Sequence, residues 1–176
     1  MQTEALTAAP PTAFDAIASR ASEPSSQFIT CTLGEAEYGI DIMAVREIKG
    51  WTETTSIPHS PSWIRGVINL RGIIVPILDL RARFGQSPTV TTPMHVVVII
   101  QAGARTVGLL VDAVSDIIAV APGEIRSVPE IGNDGTESLI CGLVPLERGM
   151  VALVSLDHLI AFPSDVALPS GVALQA

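Results

Sequence analysis

Tyr38-Gly39-Ile40-Asp41-Ile42, continued by Val45, Glu47 and Ile48, is matched by Val107-Gly108-Leu109-Leu110-Val111, continued by Val114, Asp116 and Ile117. The runs stand 69 residues apart (39 to 108) and repeat glycine, aliphatic, valine, acid and isoleucine in the same order. A second pair, Gly66-Val67-Ile68-Asn69-Leu70 and Gly142-Leu143-Val144-Pro145-Leu146, is offset by 76 (66 to 142), with the turn glycines Gly72 and Gly149 following. A strand-and-turn plan that recurs in order marks an internal duplication.

Working outward, the segments are short, β-branched and punctuated by Gly, Pro or Asp. Strands are predicted at Phe28–Leu33, Glu37–Ile42, Val45–Lys49, Gly66–Leu70 and Ile73–Leu78. The series continues at Met94–Gln101, Thr106–Val111, Ser115–Val120, Leu139–Leu146 and Met150–Val154. Each half ends in a short helix, Leu80–Phe84 behind Asp79 and Leu156–Ile160 behind Ser155, with Asp79 and Ser155 the expected N-caps. The fold class is therefore all-β, drawn as two five-stranded barrel-like halves. A half of ~65 residues buries little apolar surface by itself, so the halves are expected to share a substantial apolar core.

Residues 1–25, rich in Ala, Pro, Ser and Thr, are expected to form a flexible leader whose only stretch of helical character is Ala13–Arg20. Residues 26–160 form the expected folded unit. Residues 161–176, opening on Ala161-Phe162-Pro163-Ser164, form a tail.

Composition narrows the function. Hydrophobic residues at 48% against 16% charged exclude a disordered chain. No apolar run reaches the ~18 residues of a membrane helix, and the N-terminus lacks a basic residue ahead of an apolar core, so a cytoplasmic protein without direct membrane insertion is expected. A net charge of -8 repels phosphate backbones, and aromatics at 4% leave few stacking platforms, which argues against a nucleic-acid partner. Cys31 and Cys141 lie far apart in apolar runs, and both read as small core residues.

Catalytic chemistry finds no motif. His59, His95 and His158 have no second His or Cys at ligand spacing, and the chain lacks a Gly-x-Ser-x-Gly elbow, a Walker loop and a Gly-x-Gly-x-x-Gly turn. Glu130, Asp134 and Glu137 lie close together, but their spacing departs from that of a calcium loop and fits a solvated acidic turn. The expectation is no enzyme, no metal and no cofactor. A small β-barrel hydrolase or ligand carrier would need a concave polar pocket, which nothing in the chain signals.

Two stretches suit recognition. Ile64–Arg81 reads as a hairpin with Arg71-Gly72 at its turn and Pro76 marking an edge or bulge. Val45–Trp51 mixes acid and aliphatic on one strand face, which suits a partly exposed edge. A solvated hairpin tip and an ordinary edge strand would satisfy the same spacings. Trp51 and Trp63 fit either interface anchors or loop braces.

At these residues the chain resembles the CheW-like domain family. Tyr38 to Ile48, then Ile64-Arg65-Gly66-Val67-Ile68-Asn69-Leu70-Arg71-Gly72 with Val75-Pro76-Ile77 and Asp79-Leu80, are similar to its first half. Val107 to Ile117 and Gly142-Leu143 are similar to its second. The resemblance spans about residues 28–160. It implies two tandem five-stranded SH3-like β-barrels packed on a shared apolar core, without catalytic activity or cofactor.

It also implies an adaptor that couples methyl-accepting chemoreceptors, through their cytoplasmic tips, to the regulatory domain of the histidine kinase CheA in signalling arrays. The implied location is the cytoplasm, at the membrane-associated array through these partners. An adaptor of a non-flagellar chemosensory pathway, such as twitching motility or gene regulation, is the alternative. Carried over residue by residue, the partner contacts are Val45, Glu47, Ile48, Gly66, Arg71, Val97, Gly108 and Ile117. A Glu47–Arg71 pair that holds the hairpin tip is implied as well.

Overall fold

A computed structural model describes residues 25–129 and 139–162. The Ala13–Arg20 segment and the acidic turn at Glu130, Asp134 and Glu137 lie outside the described residues.

The ten expected strands are all present: β1 Ser26–Leu33, β2 Ala36–Asp41, β3 Val45–Gly50, β4 Ile64–Leu70, β5 Ile73–Asp79, β6 Val96–Ala102, β7 Arg105–Val111, β8 Ala113–Val120, β9 Ile140–Leu146 and β10 Gly149–Val154. A one-turn helix α1, Leu80–Arg83, follows β5, a 3₁₀ turn covers Pro122–Glu124, and a second short helix α2, Leu156–Leu159, follows β10. β6 begins two residues later than Met94 because the His95 N–H turns back onto the Thr92 carbonyl at 3.1 Å.

The strands form two five-stranded sheets, ordered β8-β1-β2-β10-β9 and β3-β6-β7-β5-β4. Each sheet is antiparallel except at one junction, where β2 pairs with β10 and β7 with β5 in parallel. The sheets do not coincide with the sequence halves. The second is continuous from β3 to β7, whereas the first is assembled from β1 and β2 with β8 to β10. The main chain therefore passes between sheets only twice among the described residues, at residues 42–44 and at Asp112.

The duplication survives at atomic detail. In the first sheet Gly39 of β2 stands opposite Leu153 of β10; in the second Gly108 of β7 stands opposite Ile77 of β5. These are the same positions at offsets of 69 and 76. A Cβ on Gly39 would lie 2.7 Å from Leu153 Cδ2, and one on Gly108 would lie 2.5 Å from Ile77 Cδ1. Both glycines thus make room for the side chain of the strand beside them.

Strand alternation distributes the apolar residues into three layers. Val75, Ile77, Val97, Ile99 and Leu110, with Ile68, Leu70 and Trp51 packed against them, fill the inside of the β3–β7 sheet. Val120, Val144, Val151 and Leu153, with Phe28, Ile118, Ile125 and Leu146, fill the other. The residues between these, including Ile29, Cys31 and Leu33 of β1, Leu78 of β5, Val98 and Ile100 of β6, and Val107, Leu109 and Val111 of β7, form the layer that joins the sheets. Strands buried on both faces read as unbroken apolar runs, which explains Val96–Ile100 and Val107–Val111. The stacked rings of Tyr38 and Phe84, 4.8 Å between centroids, flank this layer.

The two expected helix caps differ. Asp79 is wholly buried; its carboxylate accepts from the Thr89 N–H (2.7 Å), the Thr89 hydroxyl (2.8 Å) and the Ala82 N–H (3.4 Å). It caps α1 and also ties down the loop that leads to β6. Ser155 corrects the expectation: it makes no capping bond, because its hydroxyl lies 2.7 Å from His158 Nδ1 and is engaged there instead.

Replacement of either core glycine tests this packing. Gly39→Ala and Gly108→Ala should each lower stability by about 1–3 kcal/mol, since the added methyl overpacks a closed site. Gly50→Ala, with open space around the position, should change it by less than about 0.5 kcal/mol. Urea unfolding followed by circular dichroism measures both.

Candidate functional site

The β4–β5 hairpin closes through the two-residue turn Arg71-Gly72, with Leu70 opposite Ile73. Both turn residues have positive φ, +54° at Arg71 and +87° at Gly72, the combination that matches the twist of a hairpin. Glycine adopts this freely, but for arginine the left-handed region is strained. The Asn69 side chain supports the turn by accepting the Gly72 N–H at 2.8 Å.

Arg71 is 80% exposed, yet its guanidinium lies 2.8 Å from the Glu47 carboxylate. Glu47 belongs to β3 and Arg71 to the β4–β5 turn, so the pair spans the two edges of one sheet, which the reciprocal main-chain hydrogen bonds of Thr55 and Val67, both 2.9 Å, close beyond the end of β3. An ion pair this exposed contributes only about 0–1 kcal/mol, and its consequence is positional. Ile48 follows Glu47 along the strand and Ile73 follows the turn, each 45% exposed. Val45, at the start of β3, is half-buried against the joining layer. The outer surface of this barrel therefore presents exposed aliphatic residues beside a held guanidinium.

The second barrel has the corresponding surface with different chemistry. Ile117 of β8, 53% exposed, stands where Ile48 stands, whereas Gly149 takes the register position of Ile73 and the exposed aliphatic residue, Met150 (54%), comes one position later. The positions of Glu47 and Arg71 are taken by Asp116 and Glu147, two acids that cannot pair. Instead Asp116 turns its carboxylate to the Ile117 N–H at 2.8 Å.

Three of the residues carried over from the family resemblance are not on the surface. Val97 lines the interior of the β3–β7 barrel, Gly108 abuts Ile77, and Gly66 is buried at a β-bulge with φ +136°, where a side chain would collide with the Thr55 carbonyl. They shape the strands behind the exposed residues. Val45, Glu47, Ile48 and Arg71 are brought to one barrel, and Ile117 lies on the other.

Trp51 seals the barrel interior from the end of β3, and its main-chain N–H donates to the His95 carbonyl at 2.9 Å. Trp63 stacks on Phe162 with centroids 5.5 Å apart, with the Arg83 guanidinium 4.6 Å above the indole. Arg105 covers Phe162 from 5.4 Å and bonds the Ile160 carbonyl at 3.2 Å. This stack fixes Phe162 and the segment that follows α2 against the body of the fold, and sequence reasoning missed it; the two aromatics in proline-flanked segments were its only signal.

A shallow cleft of about 550 Å³ lies between Trp51–Thr54 and Thr91–Pro93, and Glu53 is the one titratable side chain that lines it. Among the described residues no three His, Cys, Asp or Glu side chains stand together as a metal site. No helix among them is long and apolar enough to cross a membrane.

The two cysteines part company. Cys31 is buried in the joining layer, and burial, aided by the negative charge of Asp112, pushes its thiol up to about 12. Cys141, expected in the core, is exposed at the β-bulge where β9 slips its register against β10. Titration of the native chain with a thiol reagent should therefore consume one equivalent, at Cys141, and a second only in denaturant. Rapid reaction of both native thiols would contradict the burial of Cys31.

Comparison with known proteins gives one consistent result. The family described as "CheW-like domain" matches residues 27–163. The chain is 45% identical over 139 residues to "Chemotaxis protein CheW" of Rhizobium meliloti (strain 1021), covering 79% of this chain and 88% of that protein. It is 40% identical over 147 residues to "Chemotaxis protein CheW" of Klebsiella aerogenes, covering 84% and 88%. The crystal structure of the scaffolding protein TtCheW from Thermoanaerobacter tengcongensis superposes with a TM-score of 0.71 at 28% identity, covering 79% of this chain and 94% of that one.

Proposed function

The chain belongs to the CheW-like domain family and is a chemotaxis adaptor, and from that premise we propose that it couples receptors to the kinase CheA through the exposed surfaces of its two barrels. The partners are the CheA regulatory domain and the cytoplasmic tips of methyl-accepting receptors. The protein works without catalysis, in the cytoplasm, and reaches the membrane-associated array through its partners.

The observation that carries this reading is the Glu47–Arg71 pair at 2.8 Å, which holds an exposed guanidinium in a strained turn beside Ile48 and Ile73. Strain kept at an exposed position is a mark of functional sites. Aliphatic residues around an arginine supply the buried centre and the directional contact that interfaces use. Ile117 on the other barrel, beside Asp116, gives a second surface of different charge. Coupling needs two sites on one body, and two surfaces of unlike chemistry supply them. Gly66, Val97 and Gly108 act from behind by setting the strands that carry the contacts.

Arg71→Glu places two acids across the barrel edge. It should abolish retention by CheA and loss of kinase coupling should follow, with the melting temperature nearly unchanged because the pair contributes only about 0–1 kcal/mol. Co-sedimentation with receptor tips and kinase, run beside a thermal melt, checks it. A large fall in melting temperature would make Arg71 structural, and failure of the unsubstituted protein to sediment with either partner would sink the adaptor reading.

A further inference from the structure

The chain passes between barrels at residues 42–44 and at Asp112, and the duplication makes these two crossings equivalent: Met43 and Asp112 are 69 positions apart. Their surroundings differ. Met43 projects into solvent, 80% exposed. The Asp112 carboxylate is gripped from both sides: it accepts the Gly34 N–H of the β1–β2 turn at 2.7 Å, and Arg81 of α1 donates to it from Nη2 at 2.5 Å and from Nε at 3.2 Å. His95 Nε2, at the entrance to β6, stands 3.5 Å away. The Asp112 N–H donates to the Thr32 carbonyl of β1 at 3.0 Å.

Gly34 and Thr32 belong to the barrel containing β1, whereas Arg81 and His95 belong to the barrel containing β5 and β6. One side chain thus bonds both bodies at one of the two places where they are covalently joined. The equivalent of Arg81 at the other crossing is Asp157, so the fold makes this crossing without such a grip. Burial opposes ionisation of Asp112, but the hydrogen bonds from Arg81 and Gly34 and the charge of Arg81 outweigh it and hold the carboxyl below its ordinary range. Apolar packing in the joining layer is non-directional, while charge-assisted hydrogen bonds have a preferred direction.

We propose that Asp112 is a positioning residue that fixes the angle between the two barrels, and with it the angle between the two partner surfaces. The proposal rests on the adaptor reading for its purpose: kinase and receptor bound to different barrels influence one another only if the body between them holds its geometry.

The clamp itself is tested without partners. In a Cys141→Ser chain, spin labels at Val90→Cys and Met150→Cys report the distance between the barrels by pulsed electron resonance. A single narrow distribution is expected, broadened by Asp112→Ala and also by Arg81→Gln, which leaves the Gly34 bond in place and serves if Asp112→Ala fails to fold. Unchanged distributions in the variants would overturn the clamp.

In the reconstituted assembly, each variant should bind kinase and receptor singly within about twofold of the unsubstituted chain. Receptor control of the kinase should fall by about tenfold, within the range of ordinary coupling energies. Broadened distances with undiminished coupling would overturn the proposed purpose. If the unsubstituted chain bound neither partner, the adaptor reading would fail, while the label distances would still decide the clamp.

Discussion

Everything in this molecule depends on the apolar layer between the barrels. Each barrel has a small interior of its own, a handful of valines, leucines and isoleucines, too little to stabilise a body of that size alone. The joining layer recruits the opposite faces of the same strands, so β1, β6 and β7 are buried twice. This double use of strands fixes the rest by exclusion. Apart from a few buried polar groups such as Asp79 and Thr89, which bond one another, the polar residues are displaced to the barrel edges and turns, where the surfaces suited to recognition lie.

The two copies have kept their scaffold and diverged at those edges. Gly39 against Leu153 and Gly108 against Ile77 repeat one contact, and the β-bulge after Ile64 recurs after Ile140. At the rim the same positions hold Glu47 and Arg71 in one barrel and Asp116 and Glu147 in the other. Packing tolerates little change in a closed interior, whereas an exposed rim tolerates charge reversal at small cost in stability. A duplicated fold can thereby carry two unlike surfaces, which an adaptor needs.

Much of the fold was legible in the chain. Ten strands, both helices, the Arg71-Gly72 turn and the shared core follow from alternation, turn residues and the internal repeat, because these are local signals that act over a few residues. The Glu47–Arg71 pair was legible only by resemblance to a family, since no spacing rule joins residues 24 positions apart on opposite edges of a sheet. Cys141 misled because its neighbours are apolar, while a bulge turned it outward.

The allocation of strands to barrels lay beyond the chain read alone. The repeat suggested that each half makes its own barrel, and yet β1 and β2 are completed by β8 to β10 while β3 to β7 close upon themselves. Pairing partners are chosen by parallel junctions between distant strands, and a strand's own pattern does not say which of two equivalent neighbours it meets. Side-chain exposure has the same origin. Val97 and Ile48 are both aliphatic residues in short strands, but Val97 is sealed in a barrel and Ile48 faces solvent. The chain dictates which residues can form strands; three-dimensional closure dictates which of their faces is left to meet a partner.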